Sequence, residues 1–97
     1  MPTSDVTQYL ADMFRLLGDQ SRLRILMEIR EEPIPVGDIA RRLDLSPSLV
    51  SHHLRLLRAG RLVRSSRQGR QICYALHDDH IRTVLEDMSN HARETAH

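Results

Sequence analysis

Four side chains near the C-terminus have the types and spacing of a metal site. Asp78 and His80 are separated by ten residues from His91 and Glu94. Two imidazoles and two carboxylates are ligands that Zn²⁺ takes in a tetrahedral set. The stretch from Asp79 to Ala96 reads as a helix, with Ile81, Val84, Leu85, Met88 and Ala92 in one apolar stripe. His91 and Glu94 share a face of it. His80 and His91 stand about 16 Å apart along such a helix, at ~1.5 Å per residue, so one chain cannot bring all four to one ion. Two copies crossing antiparallel near Leu85 and Glu86 can. His80 would then face the partner's His91, and Asp78 the partner's Glu94, giving two identical sites per dimer. Residue chemistry alone leaves a competing account standing, in which six histidines in a short chain scatter onto a solvated helix. His77 and His97 are spare ligands or polar ends. A site that recruits either of them for more than four ligands would suit Ni²⁺ or Co²⁺. A zinc hydrolase fits badly, because the four candidates close the site and leave no general base near it.

A second constellation lies in Leu45 to Gly60, LSPSLVSHHLRLLRAG. Ser46 then Pro47 is a helix start, a capping hydroxyl followed by proline at the first helical position. Gly60 is placed to close the helix in the left-handed conformation. Val50, Leu54 and Leu57 make the core stripe, widened by Leu49 and Leu56. The opposite face carries Ser48, Ser51, His52 and Arg55, rich in hydrogen-bonding groups and without an acid. Val36 to Leu43 forms the preceding helix, and Asp44 and Leu45 connect it to Ser46. Two short helices joined so tightly suit a helix-turn-helix whose second helix enters the major groove. An ordinary helical hairpin with a solvated face is the alternative.

Charge favours the first account. Residues 41–71 hold eight arginines against the single acid Asp44, a local balance of +7, while the remainder balances at −6. There is no lysine. Arginine suits phosphate forks and base edges, and its confinement to the middle points to one polyanion-binding surface. One cysteine, Cys73, precludes an internal disulfide and fits a reducing cytoplasm. No apolar run approaches a membrane span, and no signal-peptide core is visible, so no membrane partner is expected.

The remaining segments must position these two constellations. A first helix beginning at Ser4 or Asp5, with a capping-box pair at Asp5 and Gln8, carries a broad apolar face of Val6, Tyr9, Leu10, Met13, Phe14 and Leu17. Gly18 breaks it. Asp19 caps a second helix to about Arg30, with Leu23, Leu26, Met27 and Ile29 inward. Pro33 and Pro35 impose an extended connector. Leu62–Ser66 and Gln71–Leu76 read as strands, with Ile72, Tyr74 and Leu76 alternating on one face. The turn Arg67-Gln68-Gly69-Arg70 joins them, and Arg64, Arg67 and Arg70 would reach phosphates or a minor groove. The fold expected is mainly α with a β-hairpin wing. It is a winged helix-turn-helix in the order four helices, two strands, one helix, as one domain over 1–97. With so few aromatics, the chain gains from burying its terminal helices in a homodimer.

Ser46 to Gly60 resembles the recognition helix of the ArsR/SmtB winged-helix metalloregulators. Leu17-Gly18-Asp19-Gln20-Ser21-Arg22-Leu23-Arg24-Ile25-Leu26 resembles that family's second-helix entry, and Arg67 to Leu76 its wing. The resemblance implies a dimeric repressor that binds double-stranded operator DNA without metal and releases it with metal. In the family's zinc sensors the ligand pattern is Asp-x-His, ten residues, then His-x-x-Glu or His-x-x-His, as at Asp78, His80, His91 and Glu94. The resemblance also implies that His91 donates its distal N–H to the backbone carbonyl at Arg61. Where the arsenic, cadmium and lead sensors carry Cys-x-Cys, this chain has Pro35-Val36-Gly37, and Cys73 stands alone as a small packing residue. A DNA-binding dimer with purely structural zinc differs only in lacking coupling.

Overall fold

The helix that presents Ser48, Ser51, His52 and Arg55 is closed at its start by a side-chain hydroxyl and at its end by backbone hydrogen bonds. In the computed structural model, which describes residues 3–96 and side chains from residue 5, helix α4 spans Pro47–Ala59. Ser46 is its N-cap, the Oγ accepting from Leu49 N–H at 3.1 Å. At the other end Leu62 N–H donates to the Leu57 carbonyl at 2.9 Å, and Arg61 N–H to Arg58 at 3.0 Å. That pair of bonds is a Schellman motif. Its left-handed residue is Arg61, φ 60°, and not Gly60, whose φ is −82°. The expected role of Gly60 is therefore wrong. A Cβ there would run into Leu16 Cδ1 of the first helix, so a larger residue would require that side chain to move.

The preceding helix α3, Val36–Leu43, ends the same way, with Asp44 left-handed at φ 55° and Leu45 N–H donating to Ala40 at 3.0 Å. The closure at Asp44 makes the helix-turn-helix tight, and the one at Arg61 turns the chain from α4 into the wing. Helix α1 covers Thr3–Leu17 and α2 Gln20–Glu28. Because α1 already begins at Thr3, Asp5 lies inside its first turn, and the side chain of Gln8 donates forward to Asp12 Oδ1 at 3.1 Å. The capping box does not form. Asp19 does cap α2, accepting from Arg22 N–H at 3.0 Å.

An element absent from the sequence reading is β1, Ile34–Pro35, which pairs antiparallel with β3, Gln71–Leu76. Two residues are too short to show alternation. Proline is tolerated because β1 is an edge strand that can lack an N–H. The wing consists of β2, Val63–Gln68, and β3, in a sheet of order β1-β3-β2. Gln68 pairs with Gln71, so the strands run further than expected and leave Gly69–Arg70 as the loop. Positive φ at Gly69 but not at Arg70 is the pattern of a type II′ turn. β3 is central, so Cys73 and Ala75 are buried as well as Leu76, while Ile72 is exposed. The expected one-face alternation in this strand gives way to cover on both sides.

The core gathers Ile25 and Leu26 of α2 with Ile29 at its C-cap, Ile39 and Leu43 of α3, and Val50, Leu54 and Leu57 of α4. Leu62, Val63 and Leu76 join it from the wing, and Leu85 from the last helix, α5, Asp79–Thr95. Ile25, unassigned in the sequence, is fully buried, whereas Leu23 and Leu49 are exposed and leave the core stripes assigned to them. Left-handed backbone costs a residue with a Cβ roughly 1–2 kcal/mol. Arg61→Gly should therefore raise the unfolding free energy by about 0.5–1 kcal/mol after the extra freedom of unfolded glycine is subtracted. Chemical denaturation measures this, and an unchanged midpoint would show that the Arg61 side chain offsets the turn.

Candidate DNA interface and metal-ligand helix

The outer face of α4 is bare. Ser46, Ser48, His52 and Arg55 are exposed and Ser51 is half-buried. The Ser46 Oγ is committed to its cap and lies 3.4 Å from Ser48 Oγ, so its remaining capacity points toward the first turn. Among the described residues, none of Arg55, Arg58, Arg61, Arg64, Arg67 and Arg70 makes an ion pair. Arg41 and Arg42, counted in the basic stretch, are paired with Asp38 at 2.6 Å and Glu28 at 3.4 Å. The effective basic surface is thus α4 and the wing. Within the wing, strand alternation sets Arg64 and Arg67 on opposite faces of β2, across from Ala75 and Ile72 respectively. Only Arg67 shares the tip with Arg70.

The ligand candidates lie at opposite ends of α5. Asp78 is the N-cap, its Oδ1 accepting from Ile81 N–H at 3.2 Å and standing 3.6 Å from His80 Nδ1. That backbone hydrogen bond, with His80 and His77 nearby, holds its carboxyl below the usual carboxylate range. His80, His91 and Glu94 are exposed. Among the described residues no three histidine, cysteine or acidic side chains of one chain come together as a metal-holding group. His97 lies outside the described residues. The donor set nevertheless fits a hard-to-borderline divalent ion: one carboxylate already ionised, one more exposed, and two accessible imidazoles.

Beside this helix the surface is apolar. Phe14 is 60 % exposed and Met88 59 %, with Val6, Tyr9, Leu10, Leu23 and Val84 also open. Leu10, Met13, Phe14, Leu17, Leu62, Ile81, Val84 and Leu85 line a cleft of about 90 Å³ between α1 and α5. The expected stripe of α5 is therefore divided. Leu85 enters the chain's own core, and Val84 and Met88 face outward.

His53 was assigned no role in the sequence, yet it is the buried polar residue on the inner face of α4, 8 % exposed. Its Nδ1 accepts from Arg22 Nε at 3.2 Å. Burial lowers its basicity, the Asp19 carboxylate opposes that, and Arg22 and His52 reinforce it. The signal available in the sequence was a histidine standing one position from the polar face and three from the core residue Val50.

An exposed polar recognition helix after a tight turn, flanked by an arginine-tipped hairpin, defines a winged helix-turn-helix DNA-binding domain. The sequence profile of bacterial regulatory proteins of the arsR family matches residues 19–65. A transcriptional repressor SmtB homolog of Synechocystis is 37 % identical over 94 % of this chain and 69 % of its own length. The HTH-type transcriptional regulator NmtR of Mycobacterium tuberculosis is 38 % identical over 92 % of this chain and 74 % of its own. The chain belongs to the arsR family of bacterial regulatory proteins. Apo-NmtR in solution superimposes with a TM-score of 0.80 at 36 % identity, covering 97 % of this chain and 79 % of that one. The homodimeric winged helix-turn-helix domain of a possible ArsR-family regulator from Mycobacterium bovis gives 0.91 at 22 % identity, over 96 % and 86 %. At that identity the likeness is one of fold. No helix among the described residues is long and apolar enough to cross a membrane.

Arg55→Ala should weaken binding to a selected operator by about 1–3 kcal/mol more than to random duplex if Arg55 reads a base edge. Equal losses on both would make it a phosphate contact. Arg67→Ala should weaken both alike and flatten the dependence of log affinity on log salt by about one charge. An unchanged slope would remove the wing tip from the interface.

Proposed function

We propose that this chain is a homodimeric, Zn²⁺-responsive transcriptional repressor whose apo form binds a palindromic operator and whose metal-bound form releases it. The single observation that carries this reading is the surface of α5. It bears Asp78 and His80 at one end and His91 and Glu94 at the other, all exposed, beside an open apolar face shared with α1. Pairing that face with a second copy would bury Phe14, Val84 and Met88 and bring opposite ends of two α5 helices together. Ser46, Ser48, Ser51, His52 and Arg55 of each subunit would then enter successive major grooves, with Arg64, Arg67 and Arg70 on the flanking backbone. The repressor relative and the apo-NmtR structure support the regulatory part of the reading.

Asp78, His80 and the partner's His91 and Glu94 would hold Zn²⁺, which when bound supplies a cross-link between the paired α5 helices. His91 would keep one ring N–H for a backbone acceptor at Arg61, just past α4. A short path also exists inside each subunit. His77 N–H, one residue before the N-cap Asp78, donates to the Leu62 carbonyl at 3.0 Å, and Leu62 N–H closes α4. Coupling of this kind is reciprocal, so bound operator should weaken Zn²⁺ binding by the same factor that Zn²⁺ weakens operator binding.

A Ni²⁺ or Co²⁺ sensor is the second reading, favoured by His77, which is exposed beside Asp78. A cadmium-type thiolate site finds no support, because Cys73 is 2 % exposed and is the chain's one cysteine.

Zinc titrated into a fluorescent protein–operator complex should lower the anisotropy to that of free DNA. A flat trace would leave a DNA-binding dimer with structural metal. Mixing His80→Ala with His91→Ala chains should create heterodimers with one intact and one doubly damaged site, restoring zinc binding that both homodimers lack. Wild-type zinc affinity in either homodimer would rule out the shared site.

A further inference from the structure

Buried polar side chains are costly unless partnered, so the partners of His53 reveal what holds it there. One arginine serves three elements. Arg22 donates from Nε to His53 Nδ1 of α4, and from a terminal nitrogen to the Leu16 carbonyl of α1 at 3.3 Å. Its backbone N–H donates to Asp19, the cap of α2. Leu16 is also the residue whose side chain meets Gly60 at the far end of α4. The attachment of the recognition helix to α1 thus passes Leu16 twice, once through Arg22 and once by direct packing.

We propose that Asp19, Arg22 and His53 form a positioning tether that sets the recognition helix against α1, and that proton uptake by His53 releases it, lowering DNA affinity without any metal. The inference rests on the DNA-binding reading above.

The chemistry of the acceptor dictates the direction. To accept from Arg22, Nδ1 must keep its lone pair, so the proton of neutral His53 sits on Nε2. A second proton removes the acceptor and sets an imidazolium against a guanidinium. Asp19 is the acid that opposes this, while Arg22 on α2 and His52 on α4 add positive charge. The folded chain holds this proton less tightly than the unfolded one. Stability is therefore complete above the ordinary histidine range and falls as pH drops through it toward the lower folded value. The consequence for DNA follows from placement. α1 carries the apolar face that pairs two subunits and α4 carries the reading face. A slack joint between them lets the two recognition helices lose the spacing that a palindrome requires.

His53→Asn keeps a neutral acceptor, Oδ1, bonded to Cγ as Nδ1 is, and takes up no proton. Operator selected from a random pool should be titrated with metal-free wild type and with this variant, in chelator, from pH 7.5 to 5.0. The ratio of the two affinities cancels the protonation of His52 and of every other shared group. Over that range the variant should gain on wild type by about fivefold or more, the low end of typical coupling between sites. A flat ratio overturns the tether. Imidazole NMR of the metal-free wild type provides a readout free of both substitution and DNA. His53 should protonate below free histidine, with the Arg22 Nε and Gly60 amide resonances shifting at the same midpoint. Ordinary titration, or no response at Arg22 and Gly60, overturns it as well. If no duplex binds at pH 7.5, the regulator reading fails, and the NMR midpoints alone decide whether the tether exists.

Discussion

A helix that reads DNA can be held by one face only. The outer side of α4 must stay bare, so everything that fixes it acts from beneath or at its ends. Val50, Leu54 and Leu57 are fully buried, and each such side chain contributes about 1.5–3 kcal/mol of burial free energy. They touch a core supplied by α2, α3, the wing and α5 alike. The ends are fixed by the Ser46 hydroxyl at the start and two backbone bonds at the finish. The rest of the fold can be understood as the minimum that grips one inner face and two ends.

That minimum is too small to cover itself. α1 and α5 flank the core but keep Phe14, Val84 and Met88 open, and Leu23 of α2 joins them. A contiguous apolar surface of this kind is what a second copy would cover. Its position also separates tasks. The apolar face lies on α1 and α5, the exposed arginines of α4 and the wing make no ion pair among the described residues, and the ligand candidates lie at the two ends of α5. Metal held between paired α5 helices would therefore act on DNA through the way the subunits are set, and would not compete for the same surface.

Much of this was legible in the sequence because it depends on local rules. Ser46-Pro47 declares a helix start, Asp19 a cap, and the period of Val50, Leu54 and Leu57 a buried face, and each is found. The misses share a cause, which is tertiary contact. Gly60 looked like a left-handed terminator, but the left-handed residue is Arg61, and Gly60 instead lies against the side chain of Leu16 from the first helix. Leu23 and Leu49 have the right residue type for a core stripe and lie on its margin. β1 is too short to carry a period and is defined only by its pairing with β3. His53 reads as one more polar residue of the recognition helix until Arg22, thirty-one positions away, turns it inward. At the ligand helix the residue types were legible, but a site that spans two chains has no geometry within one.

The junction after α4 is where these constraints meet. Gly60 receives Leu16 from α1, Arg61 takes the left-handed turn, and Leu62 closes the helix while its carbonyl accepts from His77 at the entry to α5. Three consecutive residues thus connect the end of the DNA-reading helix to both helices that carry the open apolar face. A left-handed arginine in such a place persists only because its neighbours over-determine it. A shift of α1 or α5 would reach the end of α4 through this short, bonded segment. A stiff junction transmits and a slack one absorbs. Since Leu62 within it, Leu57 before it and Val63 after it are buried, little room exists for absorption. The recognition helix is therefore tied at its C-terminal end to α1 by the packing of Leu16 and to the entry of α5 by a backbone bond, and at its middle by the guanidinium of Arg22. Those two attachments, acting along one helix, fix its angle as well as its position, and an operator with fixed half-site spacing is sensitive to both.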